Sequence, residues 1–197
     1  MVTWFREVIL KFAGVFLSSS EPTFPIKDDI DQFCDFLVDS NIGIVYGGGN
    51  RGLMGYISKK HKEIGGTVKG VNLKLFHDQG FTAEGYIDNF EVEETLYIRK
   101  KKLIDYSDFI VVLPGGIGTA DEFFDVLTHL HMSEIGGGVI NKKLYLYNKE
   151  GYWNDLLAWI QKSVDFGMLS QIPEELVIVN SIEELNSKIK ENEIWCR

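Results

Sequence analysis

The chain has 197 residues, 45% of them hydrophobic and 25% charged, a size and balance that suit one globular domain spanning residues 1–197 and exclude disordered and fibrous classes. Its formal net charge of −9 is offset by no basic stripe, which argues against a nucleic-acid polymer as partner but leaves room for a local phosphate site. Two cysteines, Cys34 and Cys196, supply neither a disulfide framework nor a zinc pattern, so no metal is expected and a reducing compartment fits.

The stretch from Met1 to Gly14 mixes Phe5, Val8, Ile9 and Leu10 with Arg6, Glu7 and Lys11, and no cleavage pattern follows it, so it does not read as a signal peptide. No apolar run approaches the ~20 residues that span a bilayer; the expected place is the cytoplasm, away from membranes. Phe12–Leu17 reads as a first buried strand ending in Ser18-Ser19-Ser20, a hydroxyl-rich end suited to a ligand. From Ile26 to Val38, Ile30, Phe33 and Leu37 recur at helical spacing, with Asp28, Asp29 and Asp35 on the other face. Ile42–Tyr46 is the second strand, and the glycine-rich segment Gly47 to Gly55 feeds a helix that Gly65-Gly66 stops. Thr67–Leu73 is the third strand. Phe76–Tyr86 has little periodicity and reads as a loop or short helix, Ile87–Val92 as a strand, and Glu93–Tyr106 as a helix with acids in its first turn.

Phe109–Leu113 is a continuous apolar run of the kind buried on both faces of a sheet. Pro114-Gly115-Gly116-Ile117-Gly118-Thr119 joins it to a helix carrying Phe123, Leu127 and Leu130. Glycines at a strand-to-helix turn leave backbone N–H groups open at a helix N-terminus, where negative charge is favoured. The turn is therefore a candidate phosphate cradle, although it lacks the Lys-Ser/Thr of a P-loop and the spacing of a dinucleotide fingerprint. Ser133–Asn141 reads as a glycine-rich flexible loop and candidate lid. Leu144–Tyr147 and Leu176–Val179 are the last strands, with helices over Trp153–Val164 and Ile182–Ile189. Strands separated by helices along the whole length predict an α/β fold, with a doubly wound, mostly parallel, Rossmann-like sheet.

Pro114-Gly115-Gly116-x-Gly118-Thr119-x-x-Glu122 resembles the signature of the Lonely guy family, cytokinin-activating phosphoribohydrolases that are often labelled lysine decarboxylases. Val45 to Gly49, Gly52 to Gly55, Gly65 to Val71, the Arg99-Lys100 pair and the Gly151-Tyr152-Trp153 segment are similar to further family segments in the same order, from about Phe12 to Val179. The chain departs from that pattern at Ser18, at Leu96, at Asn72-Leu73 and, above all, at Thr128-His129-Leu130-His131, departures that bear on the base it accepts. The resemblance implies a hydrolase that cleaves a nucleoside 5′-monophosphate to free base and ribose 5-phosphate, without a cofactor, as a homodimer. It implies Glu122 and Arg99 as catalytic residues, with Lys100 a weaker candidate for the same site; the glycine-rich and hydroxyl-rich strand ends themselves offer Gly115, Gly116, Gly118, Thr119, Gly48, Gly49 and Ser19 as substrate contacts.

Each assignment has a structural alternative. Thr119-x-x-Glu122 is also a capping box, and Arg99 opens the basic run Arg99–Lys102, which on a helix is usually a solvated face. The glycines alone could serve only a tight turn. His129 and His131 lie two apart on one helix and share no face. Tyr145, Tyr147, Trp153 and Trp159 read as core or interface. Two other activities compete with the leading one: a general purine or pyrimidine nucleotide nucleosidase, and a non-catalytic nucleotide or cofactor carrier. Lysine decarboxylation is disfavoured, since nothing marks a lysine set up for a pyridoxal phosphate Schiff base.

Overall fold

A computed structural model describes residues 10–134 and 140–194. The start of the Met1–Gly14 segment, most of the glycine-rich part of the Ser133–Asn141 loop and Cys196 lie outside the described residues.

Among the described residues, seven parallel strands form one sheet: β1 (Lys11–Phe16), β2 (Ile42–Tyr46), β3 (Val68–Leu73), β4 (Asn89–Glu93), β5 (Phe109–Val112), β6 (Leu144–Tyr147) and β7 (Leu176–Val179), in the order β4-β3-β2-β1-β5-β6-β7. The continuous apolar sequences of β2, β5 and β6 follow from burial on both faces, whereas β4, an edge strand with Glu91 and Glu93, is only partly covered. Alternate side chains of each strand enter different cores: Ile44, Tyr46, Val111, Tyr145 and Tyr147 face one, Val45, Ile110, Val112, Leu144 and Leu146 the other. The first core is closed by α1 (Lys27–Asp39), α2 (Gly52–Glu63) and α7 (Ile182–Ile189), through Phe33, Ile57 and Leu185 among others. The second is closed by α4 (Leu96–Asp105), α5 (Ile117–Glu134) and α6 (Asn154–Asp165), through Leu103, Phe123 and Ile160. This is the doubly wound arrangement expected, and Cys34 packs in the first core.

The boundary between the fourth strand and the helix after it differs from expectation. The fourth strand runs on to Glu93, and α4 starts only at Leu96 because the Thr95 hydroxyl accepts the Ile98 N–H at 3.3 Å. Glu93 and Glu94 therefore lie outside the first turn, which contains no acid. The segment without clear periodicity holds a short helix, α3 (Lys74–His77), and a 3-10 turn at Glu84–Tyr86.

The chain builds outward from β1 through β2 and β3 to β4, then returns to the far side of β1 to lay down β5, β6 and β7. Between β1 and β5 the winding reverses, and loops leaving the carboxyl ends of these strands diverge to opposite faces, opening the crevice where α/β sheets bind ligands. The loops after β1, β2 and β5 are one hydroxyl-rich and two glycine-rich segments of the sequence.

Candidate active site

Each loop at the crevice is held by contacts that its sequence dictates. After β1, the Ser18 carbonyl accepts the Met54 N–H at 3.1 Å and the Ser18 hydroxyl accepts the Ser20 N–H at 3.0 Å. Ser19 itself is exposed, and its backbone lies so close to the start of α2 that a Cβ on Gly52 would come within 2.4 Å of it. After β2, Gly48 takes a left-handed conformation (φ 71°), while a Cβ on Gly47 would lie 2.0 Å from Arg99 Nη2. Gly47 thus makes room for a guanidinium. Gly48 fits against Asn72 and Phe90, and Gly49 against Met54; both have packing reasons to be glycine.

The basic run of α4 is divided by the helical turn. Arg99, only 8% exposed, points inward: Nε donates to the Val71 carbonyl at 3.0 Å, Nη2 to the Gly47 carbonyl at 3.3 Å and Nη1 to Glu122 Oε1 at 2.9 Å. Lys100 reaches α5 instead, 3.0 Å from Asp121 and 3.8 Å from Asp125. Lys101 pairs with Asp105 on the surface, and Lys102 binds Glu91 and Glu93 of β4. The solvated-face alternative is therefore wrong for Arg99 and right for Lys101.

The capping-box alternative also fails. α5 begins at Ile117, so Thr119 sits inside the first turn, buried against Gly115, where a Cβ would lie 2.1 Å from Thr119 Oγ1. Glu122 turns to Arg99 rather than back to the helix start. Burial pushes its carboxyl above the ordinary value, and the Arg99 guanidinium opposes that shift. Oε1 is taken by Arg99, and Oε2 makes no hydrogen bond within the described chain. Gly116 and Gly118 are exposed, with nothing within 4 Å of where a Cβ would stand. The loop is thus tight on its inner side and open on its outer side, as close approach of a ligand requires.

Tyr152 went unnoticed in the sequence as a site residue. It follows β6, is half-exposed, and donates its hydroxyl to the Gly115 carbonyl at 2.7 Å; the only local signal is an aromatic next to a turn glycine. His129 is exposed and its Nδ1 lies 2.7 Å from the Asp125 carbonyl of its own helix. Tyr145, Tyr147 and Trp153 are core, whereas Trp159 is 59% exposed. Among the described residues no group of three or more His, Cys, Asp or Glu is placed to hold a metal ion.

A buried ion pair beside an open glycine turn, at the point where the sheet reverses, can stabilise positive charge next to a bound anion. A family model described as possible lysine decarboxylase matches residues 54–189. A cytokinin riboside 5′-monophosphate phosphoribohydrolase of Arabidopsis thaliana is 33% identical over 175 residues, which is 88% of this chain and 79% of that protein. The chain belongs to the Lonely guy family. A second member, the cytokinin riboside 5′-monophosphate phosphoribohydrolase of Rhodococcoides fascians, is 34% identical over 140 residues, 71% of this chain and 68% of its own. The family's architecture extends to more distant folds: a molybdenum cofactor binding protein from Rippkaea orientalis superposes with a TM-score of 0.64 at 19% identity, over 93% of this chain and 98% of that one. The molybdenum cofactor carrier protein of Chlamydomonas reinhardtii does so with a TM-score of 0.63 at 17% identity, over 92% and 97%. At such identities the likeness concerns the fold alone.

Proposed function

We propose that this protein hydrolyses the N-glycosidic bond of a nucleoside 5′-monophosphate, of the AMP or cytokinin riboside monophosphate type, to release the free base and ribose 5-phosphate. The observation that carries this reading is the Arg99–Glu122 pair, 2.9 Å apart and buried beside the open Gly116–Gly118 turn. The 5′-phosphate sits on the turn, held by backbone N–H groups at the start of α5, with Gly115 and Thr119 shaping the loop. Glu122 then faces the ribose. As the C–N bond breaks, positive charge develops on the sugar and the carboxylate stabilises it; water adds its oxygen to the anomeric carbon, and its proton leaves with the base. Arg99 favours the charged form of Glu122 and so opposes the effect of its burial. Gly48, Gly49 and Ser19 line the crevice through their backbones, and Lys100 anchors α5 through Asp121 and Asp125.

The chain works as one domain and as a homodimer, in the cytoplasm. The first turn of α4 supports the dimer, since it leaves Leu96, Tyr97 and Ile98 exposed at 50%, 74% and 40%, directly before Arg99. No described helix is long and apolar enough to cross a membrane. Incubating the purified protein with a panel of nucleoside monophosphates that includes isopentenyladenosine monophosphate tests the reaction. Free base and ribose 5-phosphate in equal amounts are expected from at least one purine nucleotide, and no release of base from any of them would refute it.

A further inference from the structure

The turn after β6 is built to present one side chain. Glu150 (φ 51°) and Gly151 (φ 74°) are successive left-handed residues, and the first adopts a conformation that residues other than glycine rarely take. Asn148 braces the turn, its Oδ1 accepting the Trp153 N–H at 2.8 Å and its Nδ2 donating to Asn154 Oδ1 at 2.9 Å. The residue presented is Tyr152. Its ring meets Trp153 edge-on at 4.8 Å and lies 5.9 Å from Phe24, and its hydroxyl reaches the Gly115 carbonyl at 2.7 Å.

Gly115 is therefore fixed from two sides, by Thr119 packed where a side chain would be and by Tyr152 on its carbonyl. Among the described residues no peptide bond is cis, so the Gly116 N–H, which shares a peptide plane with that carbonyl, points the opposite way. This N–H makes no hydrogen bond within the described chain. We infer that Tyr152 is a positioning residue for the anion loop: by holding the Gly115 carbonyl it turns the Gly116 N–H into the crevice, toward the 5′-phosphate. The inference rests on the phosphate reading proposed above. Phe24 and Trp153 serve it indirectly by setting the height of the Tyr152 ring.

Y152F keeps the ring and removes the donor. Loss of one hydrogen bond of ordinary strength corresponds to about a three- to tenfold weaker interaction. Calorimetric titration with ribose 5-phosphate should show that loss of affinity, and the KM for AMP should rise by the same factor with kcat within about twofold, because the loop holds the phosphate equally before and during reaction. The melting temperature should fall by no more than about 4 °C. Unchanged ribose 5-phosphate affinity would overturn the inference, as would a wild type that binds no ribose 5-phosphate, or a fall in kcat without any change in affinity. A wild type that binds ribose 5-phosphate but leaves AMP intact would remove the proposed reaction, and the comparison of affinities would still decide the role of Tyr152.

Discussion

Among the described residues, Glu122 is the one charged partner of the Arg99 guanidinium, whose other contacts are backbone carbonyls. Its replacement by glutamine preserves an acceptor for Arg99 and removes the negative charge, which separates a packing role from a chemical one. E122Q is expected to fold, with a stability cost on the order of 1–3 kcal/mol, to bind nucleotide nearly as well as the wild type, and to lose about a hundredfold or more in kcat. Steady-state kinetics with a denaturation curve checks both parts. Arg99→Ala acts through the same carboxylate. Burial already raises the Glu122 carboxyl, and Arg99 is the largest influence opposing it; without that charge the carboxyl rises further. The acid limb of the kcat/KM profile should therefore move to higher pH in Arg99→Ala, and an unmoved limb would detach Glu122 from the profile. The sign for stability is the same: a carboxyl whose folded value is raised favours folding below its ordinary value, and that contribution is lost as pH rises through the folded value.

The strand-to-helix loops explain how much of the site could be read before the structure. Strands buried on both faces are legible because every side chain is apolar, and their glycine-rich exits are legible because few other residues tolerate such turns. Helix starts are harder. The Thr95 cap moved one start past the acids of Glu93 and Glu94, and α5 begins two residues before the threonine that looked like its cap. Arg99 and Glu122 lie 23 residues apart, so nothing local distinguishes their pairing, and family resemblance was the available signal. Tyr152 lies 37 residues from Gly115 and escaped for the same reason. Glycines that look alike in sequence also separate in three dimensions. A side chain at Gly116 meets open space, whereas one at Gly47 meets Arg99. Gly116→Val should therefore leave the melting temperature nearly unchanged while raising the KM for AMP at least about tenfold by blocking the approach of phosphate. Wild-type KM in that variant would mean that the loop binds no phosphate.

At the scale of the whole molecule, the strand order places three loops around one crevice, and apolar surface is exposed on two of the helices. Leu96, Tyr97 and Ile98 open α4, and Trp159, Phe166 and Met168 are exposed on α6 and just after it, at 59%, 70% and 80%. Surfaces of this kind suit burial against a second copy, and light scattering at working concentration should give a dimer; a fully active monomer would count against a shared interface near the site. The fold class followed from the alternation of strands and helices. The switch point did not, because the return of the chain to the far side of β1 is a property of strand order that periodicity does not encode. That order is what sets the glycine turn after β5 beside the Arg99–Glu122 pair, where a phosphate held on the turn makes catalysis depend on a 5′-phosphate. The most direct measurement is the ratio of kcat/KM for AMP to that for adenosine in the same preparation. Each charge-assisted hydrogen bond to the phosphate contributes about 1.5–3 kcal/mol, so two or more of them predict a ratio of at least about a hundredfold in favour of AMP. Equal turnover of AMP and adenosine would contradict it.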